Sequence, residues 1–207
     1  MEDVLDLYAE AYDAKRPVVC FDEQPVQLVA ETRTPRPVIP GQPALYDYEY
    51  RRAGTANIFM TVQPLAGWRQ VSVTGRRTKL DFAAQMKDLV DVHFPAVERI
   101  RVVLDNLNTH KLACLYDAYP AVEARRLARK LEFHHTPKHG SWLNPAESEL
   151  SVLTRQCLSR RLASQEALAS ETGAWVSKRN QEGVSIDYRF TLNDARNKLS
   201  HVYPSQP

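Results

Sequence analysis

The sequence predicts an α/β fold in which a mixed sheet, an antiparallel meander continued by parallel strands, is flanked by helices. Three observations predict it. Two apolar runs, Val18-Val19-Cys20-Phe21 and Ile100-Arg101-Val102-Val103-Leu104, are continuous enough for strands buried on both faces, and each stops at an aspartate. Between them lies a stretch with two-residue alternation and turn signals. From residue 78 onward, helical periodicity and short strand patterns take turns, which is the signature of a sheet covered by helices.

The elements follow in order. Residues 3–14 read as a leading amphipathic helix with Val4, Leu7, Tyr8 and Ala11 on one face, ended by Lys15-Arg16-Pro17. The first strand runs to Asp22, and a second is expected near 27–31. A proline-rich loop from Pro35 to Pro43 comes next. Tyr46-Asp47-Tyr48-Glu49-Tyr50 alternates aromatic and charged residues, the pattern of a half-buried strand. Residues 56–62 and 68–73 form two further strands joined by the turn Pro64-Leu65-Ala66-Gly67. Thr78 and Asp81 have capping-box spacing, and Phe82, Met86, Leu89, Val90 and Phe94 then line one helical face. A helical region over 112–130 is interrupted at Pro120, and 132–135 is a short strand. Asn144-Pro145 opens a long helix expected to reach about Leu162, and helices near 165–178 and 193–203 close the chain. This order is the ribonuclease-H-like one, and the whole of 1–207 reads as one such domain, with 1–16 as leading helix and 165–207 as C-terminal helices. An analogy of fold carries no activity with it.

The 207 residues suffice for one sizeable core. No apolar run approaches a membrane span, and the acidic start lacks the layout of a secretory signal. Cys20, Cys114 and Cys157 are odd in number, far apart and set in apolar stretches, which suits core thiols of a reducing, cytoplasmic compartment. A net charge of +2 makes no global case for nucleic acid. The basic residues are clustered, however, at 33–36, 51–52, 76–79, 125–130 and 155–161, and a folded surface could gather several into a stripe.

Asp22 and Asp105 end the two buried strands. If those strands are neighbours, both carboxylates emerge at one sheet edge, where ligands gather in such folds. Carboxylates beside a core need a counter-charge, and a divalent cation supplies one; hard oxygen donors suit Mg²⁺ or Mn²⁺. An aspartate after a strand also caps ordinary turns. The third candidate lies on the helix opened by Asn144. With Asn144 at N-cap and Pro145 at N1, Glu147 falls at N3, where it could equally complete a capping box. Glu149 is about 200° further around the helix, so the two glutamates cannot face one metal pair, and spacing alone does not choose between them. Leu150, Leu153 and Cys157 mark the expected buried stripe. Three carboxylates of this kind serve two metals that clamp the attacking and leaving oxygens of a phosphodiester, with no covalent protein nucleophile.

Four segments make the comparison specific: Cys20-Phe21-Asp22-Glu23, Gly54-Thr55-Ala56-Asn57-Ile58-Phe59, Leu104-Asp105-Asn106-Leu107-Asn108-Thr109-His110, and the run from His135 through Gly140-Ser141-Trp142-Leu143-Asn144-Pro145-Ala146-Glu147. Together they resemble the DDE transposases of bacterial insertion sequences, in the six-thirty branch related to mariner elements, over nearly the whole chain. The resemblance implies Asp22, Asp105 and Glu147 as catalytic metal ligands, and so selects Glu147 over Glu149. It implies two Mg²⁺ or Mn²⁺ ions, hydrolysis at transposon ends, attack of the freed 3′-hydroxyl on target DNA at TA, and a homodimer on DNA. Relatives carry helix-turn-helix modules ahead of the catalytic domain. None is expected in this sequence, which suggests a truncated copy, or the second frame of a split element with an upstream-encoded DNA-binding partner.

Around the triad, Asn106 and Asn108 could orient a phosphate or simply form Asx turns, and His110 could contact DNA or order its loop. His134, His135 and His139 do not make a zinc site, because Pro137 and Gly140 break any helical pairing and no cysteine is near. Lys138 beside Trp142 suits a phosphate contact next to a base-stacking aromatic, or simply a solvated lysine by a buried tryptophan; His139 is a further candidate DNA contact, and Arg155, with Arg160 and Arg161, could track a DNA backbone or form a solvated face. Two other readings stand beside the enzyme: a non-catalytic remnant or binding module that keeps the fold, and a different ribonuclease-H-like nuclease such as a resolvase.

Overall fold

The computed structural model describes residues 1–34, 36, 39–41, 47–200 and 203. Five strands form a single sheet: β1 (Val18–Glu31), β2 (Tyr50–Gln63), β3 (Trp68–Thr74), β4 (Ile100–Leu104) and β5 (Leu131–His135), in the order β3-β2-β1-β4-β5. β1, β2 and β3 pair antiparallel, whereas β4 and β5 join parallel to β1 and to each other. This is the mixed, ribonuclease-H-like sheet predicted from the sequence.

Helices cover both faces. α2 (Lys79–Asp88, followed by a π-helical turn at Leu89–His93), α3 (Ala113–Ala118) and α4 (Ala121–Lys130) cover one. α1 (Glu2–Ala9), α5 (Pro145–Gln156), α6 (Gln165–Gln181) and α7 (Leu192–Lys198) cover the other. Strand alternation divides the core accordingly. Val19, Phe21, Val102 and Leu104 pack with Phe82, Met86, Leu115 and Leu127 on the first face. Cys20, Val103, Ile58 and Met60 pack with Leu143, Leu150, Leu153 and Leu168 on the second. All three cysteines are buried and free, as core thiols should be.

Local chemistry explains most boundaries. The Thr78–Asp81 capping box forms, with the Thr78 N–H donating to Asp81 Oδ2 at 2.7 Å. Pro120 separates α3 from α4. The β2–β3 turn needs Gly67, which sits at φ +64°, and a Cβ there would stand 2.8 Å from the Gly183 carbonyl oxygen. Gly67→Ala is therefore expected to cost about 1–3 kcal/mol, combining left-handed strain with a backbone clash. Urea unfolding would measure it, and a cost below about 0.5 kcal/mol would refute the close approach.

The structure corrects several expected boundaries. The strand expected near 27–31 is the continuation of β1, which runs through Pro25 and shifts register between Gln27 and Val29. Residues 47–49 are not strand, Tyr48 is 88% exposed, and β2 starts at Tyr50. Asp47 instead accepts the Glu49 N–H at 3.0 Å in a local turn; Tyr46 and most of the proline-rich loop lie outside the described residues. α1 stops at Ala9, because Ala11 and its neighbours are exposed and bury nothing. α5 ends at Gln156, not near Leu162. The chain must extend there, since the Leu162 carbonyl accepts the Val29 N–H at 2.8 Å beside the β1 register shift. α7 ends at Lys198. No helix among the described residues is long and apolar enough to cross a membrane.

Candidate active site

The parallel pairing of β1 with β4 sets the site. Val18 pairs with Arg101, Val19 with Val102 and Cys20 with Val103, so continuing the register brings Asp22 level with Asp105 at the same edge. Asp22 does not end its strand as expected but lies inside β1, opposite Met60, whereas Asp105 follows the last residue of β4; the two strands are neighbours about 5 Å apart. Beside them lies the start of α5. Asn144 is its N-cap, accepting the Ala146 N–H at 3.2 Å, and its side-chain amide donates to the Phe21 carbonyl at 2.9 Å. That second bond ties the helix start to β1 immediately before Asp22. The capping box proposed for Glu147 does not form: the Asn144 N–H donates to Ser141 at 2.8 Å, and no hydrogen bond or ion pair among the described residues engages the Glu147 carboxylate. Glu147 is exposed and lines a cleft of about 440 Å³ together with Asp22, Asp105, Asn144, Thr136 and Ser151.

The other glutamate points the opposite way. Glu149 is buried, with Oε1 2.7 Å from Arg179 Nη2 and Oε2 3.1 Å from Arg69 Nε. The half-turn between the two positions thus separates a cleft face from a core face, and Leu150 and Leu153 are buried as expected.

Electrostatics inside the cleft oppose three bare anions. Burial pushes the Asp22 carboxyl up to about 6; the Glu23 backbone N–H on Oδ1, at 2.8 Å, opposes that, and the charges of Asp105 and Glu147 add to it. The donor set is all carboxylate oxygen, which fits a hard divalent cation. Among the described residues, no three or more His, Cys, Asp or Glu side chains are grouped so that they could hold a metal ion as they stand. Asp22, Asp105 and Glu147 line one cleft, with His110 at Asp105 as the neighbouring basic group.

His110 is placed differently from the DNA contact considered for it. It is completely buried, which removes it from any surface a duplex could touch. Its Nδ1 bonds Asp105 Oδ1, and its Nε2 lies 3.3 Å from Glu23 Oε2. Burial pulls the imidazole down, but the hydrogen bonds and charges of Asp105 and Glu23 outweigh it and hold the ring at about 9, doubly protonated and donating from both nitrogens. Glu23 was not singled out from the sequence. Its neighbour Asp22 gave no signal for it, because adjacent strand residues face opposite sides.

The remaining candidates do not line the cleft. Asn106 is exposed in the loop after β4, and Lys138 and His139 are exposed in the loop after β5, His139 at φ 63°. Trp142 is 43% exposed, and its ring meets Phe190 edge-on at 5.3 Å. Arg155 is exposed on α5 and donates to Ser151 Oγ, on the cleft wall, at 3.1 Å.

Residues 17–169, which carry all three carboxylates, match the family model of the DDE superfamily endonucleases. The chain belongs to that superfamily. Solved structures of the Mos1 mariner transposase share the fold of this DDE protein. Its paired-end complex with Mn superposes with a TM-score of 0.56 at 18% identity, covering 87% of this chain and 55% of that one. The paired-end complex with the left transposon end gives 0.56 at 17%, covering 88% and 57%. The strand transfer complex gives 0.55 at 16%, covering 88% and 55%. At these identities the likeness is one of fold, and this chain spans a little over half the length of those transposase chains. Among curated proteins, none matches the sequence.

Proposed function

We propose that this DDE-superfamily chain is a transposase catalytic domain, spanning 1–207, that hydrolyses phosphodiesters at transposon DNA ends and joins the freed 3′-hydroxyl to target DNA. One observation carries the reading: carboxylates from β1, the end of β4 and α5 open into a single cleft, and among the described residues Glu147 engages no structural partner. A merely structural helix cap would have engaged that glutamate. Asp22, Asp105 and Glu147 are the proposed ligands of Mg²⁺ or Mn²⁺. Two such ions, when bound, supply charge neutralisation at the phosphodiester and a more acidic attacking hydroxyl. The protein's own part is placement: the β1–β4 register sets the two aspartates side by side, and Asn144 fixes the start of α5 against them. The raised Asp22 carboxyl makes cation binding compete with a proton, so cleavage is expected to fall as pH drops below about 6.

The finer assignment is to the six-thirty branch of bacterial insertion sequences, with TA as target, supported by the Asp105-Asn106-Leu107-Asn108-Thr109-His110 and Gly140-Ser141-Trp142-Leu143-Asn144-Pro145-Ala146-Glu147 blocks. One of the named Mos1 structures is a paired-end complex with the left transposon end and another is a strand transfer complex. By analogy the partners here are transposon-end and target DNA, a second copy of the chain, and a DNA-binding module encoded upstream. Asn106, Lys138, His139, Trp142 and Arg155 are the proposed DNA contacts, in a cytoplasmic protein.

The test is a cleavage and joining assay on a supercoiled plasmid with Mn²⁺. Wild type is expected to nick and to join 3′ ends to new strands, while Asp105→Asn and Glu147→Gln fall below detection. Nicks without joined products would favour a resolvase-like nuclease. Equal products from wild type and both variants, or none from any, would sink the enzyme reading and leave the remnant.

A further inference from the structure

We propose that His110, itself held by Glu23, is a positioning residue that fixes the Asp105 carboxylate for cation binding. The proposal rests on the reading of Asp105 as a metal ligand and concerns what aims that side chain. Asp105 lies just beyond the end of β4, in irregular chain, with its side chain 40% exposed. Nothing else among the described residues bonds its carboxylate; His135 Nδ1 reaches only its backbone carbonyl, at 3.2 Å. His110 is the opposite kind of group. It is fully buried, its ring lies 4.8 Å from Phe82 and 5.6 Å edge-on from Phe21, and those contacts come from α2 and β1. The ring therefore has one orientation, and Nδ1 presents a fixed donor to Asp105 Oδ1.

The far side of the ring is held as firmly. Nε2 faces Glu23 Oε2 at 3.3 Å, and the Glu23 side chain is only 7% exposed. Its other oxygen lies 3.5 Å from Arg77 Nη1, a half-exposed guanidinium just before α2. A line of polar contacts, Arg77 to Glu23 to His110 to Asp105, thus runs through the end of the sheet. It joins the helical layer of α2 and α3 to a carboxylate that opens on the cleft below α5. A core histidine needs no such pair of carboxylates, and burying two ionisable groups, His110 and Glu23, is costly unless each is paired. The arrangement commits one oxygen of Asp105 to His110 and leaves the other for the cleft. Hydrogen-bonded partners of this kind orient metal-binding carboxylates, and their loss typically costs about 10–100-fold in metal affinity.

The experiment is calorimetric titration of Mn²⁺ into the full chain with a short DNA duplex present, well below each variant's melting temperature. Wild type, Asp105→Asn, His110→Ala, His110→Asn and Glu23→Gln are compared. Wild type is expected to bind and Asp105→Asn to lose binding. His110→Ala should weaken it about 10–100-fold. His110→Asn, which restores a donor near the Nδ1 position, should recover most of that loss, and Glu23→Gln should fall between. A purely structural histidine would lower melting temperature in both His110 variants without separating their affinities, and that overturns the proposal. If His110→Ala does not fold, His110→Asn and Glu23→Gln carry the test, and wild-type affinity in Glu23→Gln overturns it. Binding unaffected by Asp105→Asn, or absent in wild type, sinks the metal-ligand reading and the positioning role with it. Loss in Asp105→Asn with wild-type affinity in His110→Ala overturns the positioning role alone.

Discussion

Glu149→Gln is expected to lower the melting temperature by about 6–20 °C, while the same substitution two residues earlier, Glu147→Gln, leaves it unchanged and abolishes cleavage. The asymmetry follows from where each carboxylate sits. Glu149 is the shared anion of two guanidiniums, Arg69 from β3 and Arg179 from α6. Arg69 is wholly buried and donates also to the Gly67 and Val184 carbonyls, at 3.1 and 2.6 Å. Arg179 lies 5.4 Å over the Trp175 ring. Burial already pushes the Arg69 guanidinium down, against the pull of Glu149. Without the anion, two cations face each other in the interior, and removing one partner of such a buried pair costs about 3–5 kcal/mol. In a chain of this length each kcal/mol moves the midpoint by about 2–4 °C. Glu147 is exposed and, among the described residues, has no bond to lose. Thermal melts by circular dichroism read both variants. A drop of less than about 2 °C for Glu149→Gln would mean that the buried network contributes little net stability, which is possible for ion pairs whose desolvation nearly cancels their attraction.

In the metal-free protein, Asp22→Asn is expected to raise stability by about 1–3 kcal/mol at pH 7.5, although it removes a proposed catalytic group. The Asp22 carboxyl is held at about 6 in the fold, against 3.8 ordinarily. The native state therefore binds this proton more tightly than the unfolded chain does. Below 3.8 both states carry it and the native fold bears no penalty. As pH rises through about 6 the native group ionises, and the cost of a half-buried anion beside Asp105 and Glu147 is fully present. Asparagine reproduces the protonated shape and still accepts the Glu23 N–H, so it escapes that cost. The gain should be full above about pH 7, smaller near pH 5, and absent below the ordinary carboxyl range. Melts in chelator across this range would measure it. A variant less stable than wild type at pH 7.5 would show that Asp22 is held favourably as an anion, and would remove the electrostatic argument for a cation at the cleft.

The parts of this protein written in local pattern were legible before any coordinates. Buried strands need unbroken apolar runs, half-buried strands need alternation, and helix starts need a cap. So β1, β4, the Thr78 cap and the Asn144-Pro145 helix start could all be read from neighbours in sequence. The two aspartates were legible for the same reason, because each interrupts an apolar run. Where the reading failed, local pattern met no tertiary partner or an unseen one. Residues 47–49 alternate like a strand but are not strand, and α5 stops early because Leu162 is drawn to the β1 register shift.

The sequence by itself determined the mixed sheet, its order of elements and a short list of carboxylates, since periodicity and capping act within a few residues. Only the tertiary structure decided that Glu149 serves the core and leaves Glu147 to the cleft, and that His110 is sealed inside, between Glu23 and Asp105. Those outcomes depend on Arg69, Arg179, Phe82 and Glu23, groups remote in sequence from the side chains they hold. Burial and charge pairing are set by which distant segments the sheet brings together.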